Sequence, residues 1–266
     1  MSFLDRLHPR YRVILCDVWG VIHDGVNLYP GAADRLRQWK CERRKVVLIT
    51  NAPRTADSVE EQLAALGLSR DCWDGISTSG EAGIAVIEQL QHPTGFLGTR
   101  EDREILQGRG LTFVDRHFHE IAVTGLDDDR DKIEHYQEQL SDLAERQVLF
   151  HCFNPDRIVI QGGAPELCAG ALADAYAAMG GPVAWYGKPY PGIYRHALSL
   201  AGDPPKEAVL AVGDSLVTDM LGAAREGYDA VFVQGGIHAG EKFPAGFATE
   251  FGLNPWQPVA VVESLA

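Results

Sequence analysis

The sequence predicts an α/β fold built on a mostly parallel sheet with helices on both faces. Short apolar runs rich in Val, Ile and Leu recur along the 266 residues, and amphipathic segments of helical length separate most of them. Runs that are apolar throughout are typical of parallel strands buried on both faces. Strands that alternate with helices favour parallel crossover connections. These two patterns together predict the fold class.

The individual elements follow in order from the same patterns. Residues 13–16 form the first apolar run, and a helix over 32–43 begins after Pro30 and Gly31. Residues 46–49 form the second run, and the helix over 56–66 ends before Gly67, a C-terminal stop signal. The remaining predicted strands cover 76–78, 95–97, 121–124, 148–152, 158–160, 183–185, 209–212 and 230–233. The remaining predicted helices cover 81–90, 103–108, 131–145, 165–179, 191–200 and 218–226.

The composition excludes several classes of function. The chain carries 24 basic and 37 acidic residues, a formal net charge of −13, whereas binding to nucleic acids or anionic membranes requires basic patches. No stretch approaches the roughly 18 apolar residues of a membrane-spanning helix, and the N-terminal segment lacks the apolar region of a secretory signal. The five cysteines are scattered and form no paired motif, as in reducing compartments. We therefore expect a cytoplasmic protein that binds neither nucleic acid nor membrane.

Polar side chains stand at or just beyond the predicted carboxyl ends of four strands. In chain order they are Asp17, then Thr50 with Asn51, then Lys188, and finally Asp214 with Asp219 five residues further on. The carboxyl ends of parallel strands meet at one edge of a sheet, where ligands bind. The sequence therefore predicts that these side chains converge on one site.

This set of side chains suits phosphoryl transfer. A carboxylate can attack phosphorus as a nucleophile, and a second carboxylate helps to hold Mg²⁺, which prefers oxygen ligands. A hydroxyl, an amide and an ammonium group can stabilise the phosphoryl oxygens. Taken alone, Asp17 is more often a turn residue, Thr50-Asn51 and Asp214-Ser215 are common helix-capping signals, and Lys188 is typical of an exposed surface. All four positions in order nevertheless favour the chemical interpretation. A metal and Lys188 would also supply the local positive charge that the chain as a whole lacks.

In these motifs the sequence resembles the haloacid dehalogenase superfamily of phosphohydrolases. The matching segments are 17–21 (DVWGV), 50–51 (TN), 188–189 (KP) and 213–219 (GDSLVTD). The long insert before the third motif is similar to the C2 cap of class IIA, with 154–156 (NPD) and 186–189 (YGKP) as signatures. That class includes sugar-phosphatase-like and nitrophenylphosphatase-like enzymes. The resemblance implies a Rossmann-like parallel-sheet core over 1–80 and 186–266, with an inserted α/β cap of the C2 type over 81–185.

The resemblance also implies roles for the site residues. Asp17 would be the nucleophile and a Mg²⁺ ligand, and the other metal ligands would be Asp214, Asp219 and the backbone carbonyl of Trp19. The phosphoryl group would be held by Thr50, Asn51 and Lys188. The cap residues that face the substrate would be Asn154, Asp156 and the segment 161–163.

Position 19 departs from the family pattern. The family's phosphatases carry there a second Asp, which protonates the leaving group and later activates water, whereas this chain has Trp19. A backbone carbonyl can still bind metal, but an indole N–H has no useful acidity near neutral pH, and the ring is expected to pack where cap and core meet. Three explanations stay open. The substrate has a leaving group that needs no acid, such as an acyl phosphate; His23 or Asp24 substitutes for the missing acid; or the chain binds a phosphorylated ligand with little catalysis.

The sequence thus predicts a Mg²⁺-dependent phosphohydrolase that acts on a small phosphorylated metabolite through an aspartyl-phosphate. The alternative is a non-catalytic or weakly active relative that binds such metabolites. We expect a homodimer formed through the cap ahead of a monomer. The sequence names no substrate.

Overall fold

The computed structural model describes residues 2–161, 164–235 and 243–266. Its strands are β1 (Val13–Asp17), β2 (Lys45–Thr50), β3 (Gly75–Thr78), β4 (Thr94–Leu97), β5 (Glu120–Val123), β6 (Leu149–Cys152), β7 (Ile158–Gln161), β8 (Ala164–Leu167), β9 (Val183–Trp185), β10 (Val209–Gly213), β11 (Asp229–Val233) and β12 (Ala260–Val262). Its helices are α1 (Ala32–Cys41), α2 (Ala56–Ala65), α3 (Ser79–Ile87), α4 (Arg100–Gly108), α5 (Gln137–Glu145), α6 (Ala169–Ala178), α7 (Pro191–Ala201), α8 (Leu221–Glu226) and α9 (Phe247–Glu250), with a π-helical turn at Leu216–Met220 before α8.

Six parallel strands form the larger sheet, in the order β12-β11-β10-β1-β2-β3. Every residue of β1 is buried, because its side chains alternate between two apolar layers. Ile14 points into the layer that contains Trp39 of α1, and Leu15 points into the layer that contains Ile193 of α7. The predicted parallel sheet with helices on both faces is therefore confirmed.

The register of this sheet brings the site motifs together. Cys16 on β1 pairs with Val212 on β10, and Asp17 pairs with Ile49 on β2. Strands β1, β2 and β10 therefore end at nearly the same level of the sheet. The polar residues that follow them lie at one edge.

A second, four-stranded parallel sheet has the order β4-β5-β6-β9, and β7 and β8 form a separate antiparallel hairpin. Helices α5 and α6 cover this sheet through buried residues such as Phe150 and Tyr176, whose rings stack at 5.1 Å. The predicted domain boundaries at 80/81 and 185/186 fall within α3 and directly after β9. No helix of the described residues is long and apolar enough to cross a membrane.

The structure corrects the sequence prediction at a few elements. The predicted helix over 165–179 begins too early, because residues 164–167 form β8 and α6 begins only at Ala169. Pro165 is typical of a first helical turn, yet it pairs with Ile160 across the hairpin. The strand β12 and the helix α9 were not predicted, and the first part of the helix over 218–226 is the π-helical turn.

Candidate active site

Three buried aspartates form an acidic cluster at the carboxyl edge of the larger sheet. Asp17 ends β1, Asp214 follows β10, and Asp219 lies in the π-helical turn. One carboxylate oxygen of each lies within 4.8 Å of those of the other two. The backbone N–H of Ser215 donates to Asp219 at 3.3 Å. A Cβ at Gly213 would lie 2.2 Å from Cγ of Asp219, so only glycine allows this approach.

Lys188 supplies the positive charge of the cluster. Its Nζ donates to Oδ1 of Asp17 at 2.5 Å and to Oδ1 of Asp219 at 2.8 Å, and its side chain is only 3% exposed. Burial disfavours the charged ammonium, but the charges of Asp17 and Asp219 outweigh this effect and raise the pKa of Lys188 above its ordinary value. Lys188 therefore stays protonated and joins the third motif to the first and the fourth.

Two carboxyl groups of the cluster have raised pKa values, mainly because they are buried and also because like charges lie beside them. Burial and the charge of Asp219 raise the pKa of Asp17 to about 8, although Lys188 and the N–H of Val18 act in the opposite direction. Burial and the charge of Asp17 raise the pKa of Asp214 well above its ordinary value. Within the described part of the chain, Asp214 accepts no hydrogen bond and forms no ion pair.

The donor set of this cluster fits Mg²⁺. The ion prefers hard oxygen ligands and is held by a few carboxylates together with water, and Asp214 is a buried carboxylate with no hydrogen-bond or ion-pair partner among the described residues. The carbonyl oxygen of Trp19 also accepts no hydrogen bond from the described residues. The next residue, Gly20, has φ +83°, and a Cβ there would lie 2.0 Å from Oδ2 of Asp214. The loop after β1 therefore passes directly against this carboxylate.

Thr50 and Asn51 follow β2 beside the cluster, and both are buried. Oγ1 of Thr50 accepts the N–H of Ala52 at 3.2 Å, and its hydroxyl proton stays available for a phosphoryl oxygen. The side chain of Asn51 is fully engaged: Oδ1 accepts the N–H of Lys188 at 2.7 Å, and Nδ2 donates to the carbonyl of Lys188 at 3.2 Å and to Oδ1 of Asp156 at 2.9 Å. In this arrangement Asn51 positions Lys188 and Asp156.

A cleft of about 240 Å³ opens above the cluster. Its floor contains Asp17, Thr50 and Asp214, and its other wall comes from the segment around Asp156 and from β7. Asn154 shapes that segment, because its Oδ1 accepts the N–H of Asp156 at 3.0 Å. In the predicted substrate-facing segment 161–163, positions 162 and 163 and the side chain at 161 lie outside the described residues.

Trp19 joins the loop after β1 to the hairpin β7–β8. Its indole N–H donates to the carbonyl of Ile160 at 3.1 Å. A Cβ at Gly25 would lie 2.7 Å from the ring, and the ring of His23 meets it edge-on at 5.1 Å. The side chain of Trp19 thus makes a packing and hydrogen-bonding contact between the loop after β1 and this hairpin.

His23 and Asp24, which the sequence analysis named as candidate acids, lie in different environments. His23 is buried, its Nδ1 accepts the N–H of Gly25 at 2.9 Å, and burial lowers its pKa to about 4. Asp24 accepts the N–H groups of Val26 and Asn27, which hold its pKa below the ordinary value. His23 is therefore neutral near pH 7, and Asp24 stabilises a turn.

Sequence reasoning missed an ion-pair cluster beside the site. Arg54, shortly after β2, donates to Oδ1 of the buried Asp102 at 2.7 Å and to Oε2 of Glu101 at 2.9 Å, both in the first turn of α4. The sequence offered only a helix-capping pattern here: Oγ1 of Thr99 accepts the N–H of Asp102, which marks the beginning of α4. Its pairing with Arg54 depends on tertiary structure and leaves no local pattern.

Two family models match the chain. The model for haloacid dehalogenase-like hydrolases matches residues 14–112, and a HAD-hydrolase-like model matches residues 185–266. Together they cover more than half of the sequence and contain Asp17, Lys188 and Asp214. The chain belongs to the haloacid dehalogenase-like hydrolases.

Relatives of this haloacid dehalogenase-like hydrolase include proteins of known structure. A haloacid dehalogenase-like hydrolase from Brucella suis 1330 is 32% identical, with coverage of 99% of this chain and 98% of that chain and a TM-score of 0.87. The p-nitrophenyl phosphatase from Archaeoglobus fulgidus is 25% identical, with 97% coverage of both chains and a TM-score of 0.75. The ribonucleotide monophosphatase NagD of Escherichia coli K12 is 26% identical over an alignment of 234 residues that covers 84% of this chain and 88% of that protein.

These relatives confirm the resemblance to class IIA that the motifs predicted, because they include the nitrophenyl phosphatases expected for that class. Family and relatives together identify the haloacid dehalogenase-like hydrolase as a phosphatase that acts on phosphorylated substrates.

Proposed function

We propose that this chain is a Mg²⁺-dependent phosphatase that acts on a small phosphorylated metabolite through an aspartyl-phosphate on Asp17. The observation that carries the proposal is the acidic cluster, in which three buried aspartates lie within 4.8 Å of one another around a single buried lysine. Buried carboxylates destabilise the fold unless cations balance their charge, and binding of a metal ion would provide that balance. NagD and the A. fulgidus enzyme are named for phosphomonoester substrates, which supports the proposed substrate class.

The first step transfers the phosphoryl group to Asp17. Its Oδ1 is held by Lys188 and by the N–H of Val18, whereas Oδ2 accepts no hydrogen bond from the described residues and is the oxygen that attacks. The new bond joins this oxygen to phosphorus, and the bond from phosphorus to the leaving-group oxygen breaks. The oxygen departs with the electron pair and must receive a proton. Thr50 and Lys188 stabilise the negative charge on the phosphoryl oxygens.

The second step returns the free enzyme. A water attacks phosphorus, its proton passes to a base, and the bond to Asp17 breaks to give inorganic phosphate and the carboxylate. Asp17, Asp214, Asp219 and the carbonyl of Trp19 would hold Mg²⁺. The ion supplies charge neutralisation for the phosphoryl group and for the crowded carboxylates.

Residues 81–185 act in this proposal as a cap domain on a core formed by 1–80 and 186–266. Three contacts bring the two parts together beside the cleft: Arg54 with Asp102, Trp19 with Ile160, and Asn51 with Asp156. A cap held in this position excludes water from the reacting phosphoryl group, which limits side reactions.

The test compares Asp17→Asn with Asp24→Asn, a control in the same loop. We expect Asp17→Asn to abolish Mg²⁺-dependent release of phosphate from nitrophenyl phosphate while its melting temperature is maintained. Asp24→Asn should keep turnover near the wild-type rate, because Asp24 only stabilises a turn. Full activity of Asp17→Asn, or wild-type turnover that is unchanged by removal of divalent cations, would refute the proposal.

A further inference from the structure

The proposed reaction requires a proton donor that Trp19 cannot provide. Within the described residues, the carboxyl groups that line the cleft are those of Asp17, Asp214 and Asp156. The first two belong to the acidic cluster and are assigned to attack and metal binding. Asp156 is the remaining carboxyl group in the cleft, and it forms no ion pair with the described residues.

Other proton-bearing groups near the cleft are unsuitable. Nδ1 of His23 is occupied by the N–H of Gly25, and burial keeps this imidazole neutral at pH 7. The ammonium of Lys188 donates to Asp17 and Asp219, whose charges hold its proton tightly. Asp24 does not line the cleft in the described structure. Hydroxyl groups such as that of Thr50 are much too weakly acidic.

The hydrogen bonds of Asn51 determine which oxygen of Asp156 can carry a proton. Because Oδ1 of Asn51 accepts the backbone N–H of Lys188, the orientation of its amide is fixed and Nδ2 must be the donor toward Asp156. Oδ1 of Asp156 therefore accepts at 2.9 Å, and no described residue occupies Oδ2. A protonated Asp156 would carry its hydrogen on Oδ2, the free oxygen.

The surroundings of Asp156 favour its protonated form. Burial of the carboxyl group has the largest effect and raises its pKa, and the charge of Asp219 acts in the same direction. The charges of Lys188 and Arg157 and the hydrogen bond from Asn51 lower it. The outcome is a pKa above the ordinary value of an aspartate. A raised pKa is what a carboxylic acid needs to donate a proton near neutral pH.

We propose that Asp156, from the cap, is the general acid and base of this enzyme in place of the missing aspartate at position 19. This inference rests on the proposed phosphatase function. In the first step, Oδ2 of Asp156 gives its proton to the leaving-group oxygen as that oxygen separates from phosphorus, and Asp156 becomes a carboxylate. In the second step, the carboxylate takes a proton from the attacking water, which restores the acid and balances the cycle.

Because Asp156 belongs to the cap, it can transfer a proton to the leaving group only when the cap lies against the core. Asp156 meets the leaving group only while the cap rests on the core, where Asn51 holds its Oδ1. In the family pattern the acid lies on the core, two residues after the nucleophile. Moving it to the cap frees position 19 for the indole contact to Ile160, which helps to hold the cap in that position.

The experiment compares Asp156→Asn with the wild type on two aryl phosphates of similar shape. The amide oxygen of the variant can still accept the hydrogen bond from Asn51, but the amide cannot donate an acidic proton. We expect kcat/KM for phenyl phosphate, whose leaving group needs protonation, to fall by about 10²–10⁴-fold. For dinitrophenyl phosphate, whose leaving group needs no proton, it should fall by less than roughly tenfold. Glu101→Gln is the control, because it removes another carboxyl group near the site that is paired with Arg54.

Three results would overturn the inference. An equal loss on both substrates would mean that Asp156 only positions Asn51, and no loss on either would mean that it carries no proton. A wild-type enzyme that cleaves dinitrophenyl phosphate but not phenyl phosphate would have no working acid at all. Failure of the phosphatase proposal is distinguishable, since it would appear as turnover of either substrate by Asp17→Asn.

Discussion

Replacing Lys188 with Met tests whether the acidic cluster depends on a cation for its stability. The substitution keeps most of the side chain's volume and removes the ammonium that bridges Asp17 and Asp219 at 2.5 and 2.8 Å. Removing one partner of a buried ion pair costs about 3–5 kcal/mol, because the remaining charges are left unpaired. At roughly 2–4 °C per kcal/mol for a chain of about this size, the melting temperature should fall by about 6–20 °C.

The loss should depend on pH and on metal. Protonation of the carboxyl groups relieves the repulsion, so the difference from the wild type should be larger at pH 8 than at pH 5. Mg²⁺ should restore part of the stability, about 2.7 kcal/mol at a concentration 100 times the dissociation constant. The assay is thermal unfolding, with and without Mg²⁺, at both pH values.

Lys40→Met is the matched control for this experiment. Lys40 pairs with Asp74 at 2.9 Å, but its side chain is 26% exposed, and pairs of this kind contribute about 0–1 kcal/mol. A melting temperature of Lys188→Met within about 2 °C of that of Lys40→Met, at pH 8 and without metal, would refute the account of the cluster.

Three further predictions address the same site. The folded protein binds a proton at Asp17 more tightly than the unfolded chain does, so the stability of the metal-free wild type relative to Asp17→Asn should fall as pH rises from 3.8 to about 8. Melting curves of both proteins measure this difference, and the comparison cancels the opposite contribution of His23, whose pKa burial lowers to about 4. A difference that stays flat, or that shifts in favour of the wild type, contradicts the prediction. Gly20→Ala places a Cβ against Asp214 at a position with positive φ, which costs roughly 1–2 kcal/mol in strain. Calorimetry should show that this variant binds Mg²⁺ about tenfold more weakly than the wild type. Unchanged affinity would mean that the metal binds elsewhere. Trp19→Phe removes the hydrogen bond to Ile160. We expect it to lower the free energy of unfolding by about 1 kcal/mol and to raise KM. If the free energy of unfolding and KM are both unchanged, Trp19 does not hold the cap.

The residues that could be predicted from the sequence are those whose position depends on local pattern. The apolar run before Asp17 is long enough to specify a buried strand, and the parallel fold then brings it beside Asp214. A motif at the end of a strand can be placed from the sequence because parallel strands all end at the same edge of the sheet. For this reason the acidic cluster could be anticipated without any knowledge of side-chain contacts.

What could not be predicted depends on partners that are distant in sequence. Asn51 carries no sign that its amide is occupied by Lys188 and by Asp156, 105 residues away. The strand β8 was mistaken for a helix because Pro165 is a local helix signal, whereas pairing with Ile160 is a tertiary one. The indole of Trp19 could be expected at the junction of cap and core, but its hydrogen bond to the hairpin could not.

The central claim is that Asp17 carries the phosphoryl group during turnover. A reaction with dinitrophenyl phosphate and Mg²⁺ can be quenched with acid and the protein cleaved with trypsin, which releases the peptide from Val13 to Arg35. The account predicts that mass spectrometry finds the mass of one phosphoryl group on this peptide, assigned to Asp17 and removed by hydroxylamine. Rapid turnover with no phosphoryl group on this peptide at any quench time, or with the group on another residue, would contradict it.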